Sequence, residues 1–205
     1  MLKDLLVLLG TLVDQVGPIG IGIATFVESL IAPIPSEVIL VFAGTNLKSW
    51  ESVLLFTIAA TIGSYFGTLP FYLISFKSKK LIYKLINKYG KYFFISTNDI
   101  ERVEEKFISK GKLIVFTGRL IPGIRSLISI PAGISKMNFI EYTIYTLIGS
   151  FSWNSLLISG GFLLKNEYKS LLNYLDVYEK TTYIVLVLII LSIYIFLYIR
   201  HTKSK

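Results

Sequence analysis

The sequence predicts an all-α membrane protein: an inverted repeat of two re-entrant helical hairpins, each followed by a transmembrane helix, with an interfacial helix at the start and a further transmembrane helix at the end. Three observations carry that expectation. Hydrophobic residues make up 53% of the 205-residue chain and the mean hydropathy is +0.65, far above a soluble domain. The stretches 53–76, 142–164 and 181–199 are free of charge, each close to the ~20 residues that a roughly 30 Å hydrocarbon core requires. Two other apolar stretches, 15–47 and 113–135, hold five of the six prolines, and proline removes a backbone donor and stops a helix.

In chain order, residues 1–14 mix Lys3 and Asp4 into a leucine-rich run with neither a basic leader nor a small-residue cleavage motif. An amphipathic helix lying in the interface fits better than a signal peptide. Residues 15–47 form the first hairpin, interrupted by Glu28, Pro33, Pro35 and Glu37, with the two prolines at its turn. Residues 53–76 form the first transmembrane helix, carrying Ala59, Ala60, Gly63 and Gly67. The Gly63–Gly67 spacing permits close helix approach and is read as internal packing ahead of a homo-oligomer seam. Residues 77–112 are rich in lysine, from Lys77, Lys79 and Lys80 to Lys110 and Lys112, and the positive-inside rule places them in the cytoplasm. Residues 113–135 form the second hairpin, interrupted by Arg119, Pro122, Gly123, Arg125 and Pro131, with its turn at Pro122 and Gly123. Residues 138–165 form the second transmembrane helix, with Gly149, Ser150, Ser152, Gly160 and Gly161. Residues 181–200 form the third, and Arg200, Lys203 and Lys205 put the C-terminus in the cytoplasm.

With both basic regions inside, the three spans run inward, outward and inward. A broken segment followed by a long span then occurs twice in opposite senses, the arrangement of inverted-repeat transporters with a site at the repeat interface. Backbone that leaves the helix at membrane depth must be buried in protein or line a wet cavity, so the two hairpins share a protected interior.

Four charges in these hairpins need a reason, because one at the bilayer centre costs on the order of 2.5–3.5 kcal/mol. Glu28 and Glu37 on one hairpin and Arg119 and Arg125 on the other predict mutual compensation across the interface. A pure ion-pair clasp is the competing reading, but an apolar core would lock the hairpins more cheaply. Arginine offers a planar fork that matches phosphate or carboxylate oxygens, making Arg119 and Arg125 candidates to hold an anionic headgroup. Glu28 and Glu37 are candidates to exchange protons as that partner comes and goes.

Other chemistry finds little support. The chain has no cysteine and a single histidine, His201, leaving no thiolate or histidine cluster for a metal, and no cofactor is expected. An enzyme acting on phosphate esters lacks a His or Asp cluster to assist it. The net charge of +8 is accounted for by topology, without nucleic acid as a partner.

The run from Phe26 to Glu37, FVESLIAPIPSE, followed by Gly118-Arg-Leu-Ile-Pro-Gly-Ile-Arg125, Pro131-Ala-Gly-Ile-Ser-Lys-Met137 and the helix from Trp153 to Gly161, resembles the DedA family of prokaryotic membrane proteins, which shares the VTT domain with eukaryotic lipid scramblases. The likeness covers roughly residues 15–165. It implies facing re-entrant hairpins, proton-linked transport, and lipid movement across the cytoplasmic membrane, including recycling of polyprenyl-phosphate carriers. It also implies that Glu28, Glu37, Arg119 and Arg125 are the important charges. Ser29 and Glu37 depart from residues common in relatives, asparagine and aspartate, while the form PIPSEVIL is similar to the undecaprenyl-phosphate branch. The leading expectation is a flippase for a phosphate-bearing lipid, with membrane lipids and protons as partners. A phospholipid flippase or scramblase, for phosphatidylethanolamine for example, and a proton-coupled transporter of a small soluble ion are the alternatives.

Overall fold

The computed structural model describes residues 16–30, 36–80, 83–84, 87–88 and 97–164. The described residues hold no strand, and the helices delimited among them are α1 (Pro18–Leu30), α2 (Ser36–Asn46), α3 (Trp50–Lys77), α4 (Thr97–Arg119), α5 (Ser129–Ile134) and α6 (Phe139–Leu163), with further helical residues at 79–80, 83–84 and 87–88. The expected interfacial helix at 1–14, the turn prolines Pro33 and Pro35, and the third span at 181–200 lie outside the described residues.

Helix α3 has 28 residues and is the one described helix long and apolar enough to cross a membrane, with mean hydropathy 1.6. It outruns the charge-free stretch 53–76 because its ends are capped. Ser49 accepts from the Ser52 amide, Glu51 lies in the first turn and Lys77 in the last, each charge at the helix end whose dipole it complements. Helix α6 has 25 residues and begins at Asn138, whose side chain accepts from the amides of Ile140 and Glu141.

Elsewhere the helices depart from the boundaries read off charge and proline. The expected border between the basic segment and the second hairpin falls inside α4, and the break comes earlier, at Lys110 (φ −136°, ψ 21°), beside Gly111. Pro131, expected to interrupt, sits in the first turn of α5, where the lost amide has no intrahelical partner to forfeit.

Packing follows a crossed pattern. Helix α1 lies on α3 and α4 on α6, whereas α2 crosses to α6 and α5 to α3; α3 and α6 also pack on each other. Glycines allow the close approaches. A Cβ on Gly67 would meet the Phe26 carbonyl oxygen at 2.5 Å, and one on Gly149 would meet that of Phe116 at 3.0 Å. Gly63 likewise lies against Gly22, so the Gly63–Gly67 spacing serves internal packing. One apolar cluster joins Ile21, Leu40, Ala43, Phe56 and Ile158; the other joins Tyr65, Tyr72, Val115, Ala132 and Tyr142.

The two long helices are polar inside and oily outside. Helix α3 buries Thr57, Thr61, Ser64 and Thr68 while exposing Leu54, Leu55, Ile58, Ile62 and Phe66. Helix α6 buries Tyr142, Thr146, Ser150 and Asn154 while exposing Ile140, Ile144, Ile148 and Leu156. Such an apolar exterior is wrong for water and right for lipid.

Candidate functional site

Where the broken segments meet, two arginines are buried in different ways. Arg125 lies in the series of turns between α4 and α5, and its Nη2 donates to Oε2 of Glu28, in the last turn of α1. Both residues are buried, at 7% and 6% exposure. This ion pair ties the first broken segment to the second. The turn that delivers Arg125 has Pro122 and Gly123 at its centre. The Ile124 amide donates to the Ile121 carbonyl at 3.3 Å, and Gly123 has φ +76°, the left-handed geometry that a proline–glycine type II turn requires. The Arg125 amide also bonds the Ile121 carbonyl, at 3.2 Å.

Arg119, at the end of α4, is 2% exposed. Its stem passes Gly149 of α6, where a Cβ would come within 2.8 Å of the Arg119 Cβ. Its head reaches hydroxyls from three other elements. Nη2 donates to Thr68 Oγ1 of α3 at 2.8 Å, to Ser129 Oγ of α5 at 3.0 Å and to Tyr142 Oη of α6 at 3.3 Å. Tyr142 in turn donates to Ser129 Oγ at 2.9 Å. The Tyr142 ring stacks on Tyr72, with centroids 4.1 Å apart and planes at 12°. Tyr72 is itself fixed by a 2.6 Å bond to the Met137 carbonyl.

The expected mutual compensation of all four charges is therefore corrected: among the described residues Glu28 pairs with Arg125, and Arg119 is held by hydroxyls. No carboxylate among the described residues pairs with Arg119. Hydroxyl dipoles stabilise a cation but do not neutralise it, so its charge stays available to an anion. Its three nitrogens divide the work. Nη2 serves the protein, Nε is buried without a partner, and Nη1 makes no hydrogen bond to a described residue. Arg125 and Glu28 lie within electrostatic reach of Arg119.

Glu37 is placed apart from this cluster. It sits half-buried in the first turn of α2 and, among the described residues, forms no ion pair with either arginine. An acid there complements the helix dipole. Thr68, Ser129, Tyr142 and Tyr72 were missed from sequence, although Thr57, Thr61, Ser64 and Thr68 repeat at the three- and four-residue steps of one helical face.

Comparison with known proteins matches residues 34–163 to the VTT domain. "Undecaprenyl phosphate transporter A" of Staphylococcus aureus is 34% identical over 181 residues, covering 87% of this chain and 89% of that protein. The protein of the same name in Bacillus subtilis is 29% identical over 184 residues, covering 90% and 89%. An "Alkaline phosphatase-like protein" of Lactococcus lactis is 36% identical over 187 residues, covering 89% and 87%. No solved structure matches the chain.

Proposed function

The chain belongs to the VTT domain, or DedA, family of membrane proteins, and from that premise we propose that it moves a polyprenyl phosphate, of the undecaprenyl phosphate class, across the cytoplasmic membrane. The observation that carries this reading is the buried, unneutralised Arg119 at the meeting point of the broken segments. A phosphate monoester brings the negative charge this cation lacks, and a guanidinium fork matches its oxygens. The names of two similar proteins support the same substrate class.

In this reading the crossed packing, with α1 on α3 and α2 on α6, and α4 on α6 and α5 on α3, reflects an inverted repeat of two re-entrant hairpins, each followed by a span. The chain is multi-pass, with residues 77–112 and the C-terminus in the cytoplasm. The headgroup sits at Arg119 while the prenyl tail stays in lipid along the oily outer faces of α3 and α6. Protonation of Glu28 cancels its charge and releases Arg125 to join Arg119 on the phosphate; loss of the proton reclaims Arg125 and frees the headgroup. Glu37, half-buried at the start of α2, is a second candidate to exchange protons in this cycle.

Purified protein in liposomes tests the reading. Labelled undecaprenyl phosphate should cross the bilayer faster than in protein-free vesicles, and phosphatidylethanolamine and small anions should not. Equal movement of every lipid would point to a scramblase, and movement of small anions alone to an ion transporter. The phosphatase-like name of one relative makes inorganic phosphate release from the same lipid the necessary parallel assay. Sustained release would replace the translocase reading with an enzymatic one.

A further inference from the structure

We propose that the lysine-walled cavity at the end of α3 binds the headgroup of an anionic phospholipid, held as a resident lipid in the leaflet that faces the basic segment. The cavity has a volume of about 770 Å³, and Lys77, Lys79, Lys80, Lys84 and Lys136 contribute to its wall. That is the size of a small-molecule site. No carboxylate among the described residues lines it.

Two parts of the chain meet in that wall. Helix α5 presses on the last turns of α3, where a Cβ on Gly133 would come within 2.7 Å of the Ser75 Cβ. The chain leaves α5 through a turn in which the Lys136 amide donates to the Gly133 carbonyl at 3.0 Å and the Met137 amide to the Ala132 carbonyl at 3.1 Å. This is the bond pattern of a Schellman motif, whose left-handed position is usually glycine. Here it is Lys136, with φ +55°, a conformation that a Cβ disfavours. The lysine extends to the end of α3, where its Nζ donates to the Phe76 carbonyl and lies 4.2 Å from the Phe76 ring centroid. Lys79 is neutralised: its Nζ meets Oε2 of Glu104 at 2.6 Å, and Tyr83 Oη donates to the other carboxylate oxygen at 3.1 Å, which pins this wall to α4. Lys77, Lys80, Lys84 and Lys136 have no ion pair with a described residue.

Four open cations around one cavity exceed what helix capping explains. The carbonyls at a helix end amount to about half a unit of negative charge, which Lys77 and Lys136 already answer. The remaining positive charge repels itself, and an anion in the cavity relieves it. Position selects the anion. Helix α3 is long and apolar enough to cross a membrane, its charge-free stretch ends at Phe76, and Leu73 and Ile74 are exposed in its last turns. The cavity therefore opens at headgroup level, with an oily surface beneath it for acyl chains. Ammonium groups act as point charges without a fixed fork, which suits a phosphodiester held by charge. Binding there is independent of the translocase reading.

Native mass spectrometry of the full chain in detergent, titrated with phosphatidylglycerol or with phosphatidylcholine, tests the site. The wild type should bind one phosphatidylglycerol in preference to phosphatidylcholine and keep it in the presence of inorganic phosphate. A lysine beside an anionic headgroup layer is worth a factor of about five. Lys80→Gln and Lys84→Gln should each weaken binding by about that factor, whereas Lys106→Gln, exposed on α4 outside the cavity, should leave it unchanged. Lys136→Gly separates the lipid from the fold, since glycine takes the left-handed turn without strain: the melting temperature should hold or rise while lipid affinity falls. Equal binding of the two lipids, or undiminished binding in all three cavity variants, would overturn the proposal. So would displacement of the lipid by inorganic phosphate at the lipid's own concentration, which would mark a site for free anions instead. Lipid movement enters none of these readouts, so their failure leaves the translocase reading standing.

Discussion

Arg119→Lys separates holding the fold from holding the ligand, because the three hydrogen bonds of Arg119 to described residues all leave from one nitrogen. Nη2 reaches Thr68, Ser129 and Tyr142 at 2.8, 3.0 and 3.3 Å. An ammonium carries three donors of its own, so a lysine reaching that point reproduces the protein contacts. The stability cost is then that of resettling the side chain, on the order of 1 kcal/mol, the net worth of one ordinary hydrogen bond. Nη1 and the planar fork have no counterpart in lysine. Losing one charge-assisted bond to a phosphate oxygen costs about 1.5–3 kcal/mol, a drop of about tenfold or more in headgroup binding. The expected result is a melting temperature close to wild type with transport of labelled undecaprenyl phosphate in proteoliposomes reduced by that factor, at matched insertion. Exchanges of Lys77, Lys79 and Lys80 to arginine serve as silent controls. Undiminished transport by Arg119→Lys would refute the fork-on-phosphate reasoning and leave Arg119 as a point charge at most.

The Glu28–Arg125 pair behaves in the opposite way. Glu28→Gln and Arg125→Gln each strand a buried charge and should cost about 3–5 kcal/mol of stability, and the double variant should recover much of the loss; purely additive losses in thermal unfolding would show that the pair is not coupled. Gly67→Ala drives a Cβ to within 2.5 Å of the Phe26 carbonyl oxygen and should lower the melting temperature, whereas Gly160→Ala meets open space and should gain up to about 1 kcal/mol from helix propensity. Equal effects would mean that α1 does not pack on that face of α3. A single cysteine at Lys84, in a chain with none of its own, should react with an impermeant reagent only from the cytoplasmic side; labelling from outside would reverse the proposed topology.

Much of the site was legible because a charge in an oily segment is conspicuous. Glu28, Arg119 and Arg125 stand out from their neighbours, and the broken segments around them fit no plain membrane helix. Hydroxyl residues carry no such contrast: threonine and serine return their hydroxyl to the helix carbonyls and pass unnoticed in apolar surroundings. Nothing local marks Ser129, which reaches Arg119 only because α5 folds back on α3. Helix ends were blurred for a related reason. Charge-free runs stop at the first lysine or glutamate, whereas α3 continues through Glu51 and Lys77, whose charges suit its termini. Pro131 reads as a breaker in sequence but starts a helix, a difference decided by which amide it replaces.

The unequal pairing of the two arginines also bears on how a carrier could cycle. A site with both cations neutralised by protein acids would hold a phosphate poorly, since binding would first have to break two ion pairs in a low-dielectric interior. A site with both cations bare would be costly to bury and slow to release its ligand. Here one cation, Arg125, is paired with Glu28, and the other, Arg119, is supported by neutral dipoles alone. In the proposed cycle binding then begins at Arg119 without breaking any pair, and a single proton at Glu28 decides whether Arg125 adds its charge. If so, Glu28→Gln, which mimics the protonated acid, should hold the headgroup in a state from which release is slow. Lipid retention on the purified variant should rise while the transport rate falls and loses its pH dependence. A variant that transports at the wild-type rate with an unchanged pH profile would remove Glu28 from the cycle and reduce the pair to a clasp between the two broken segments.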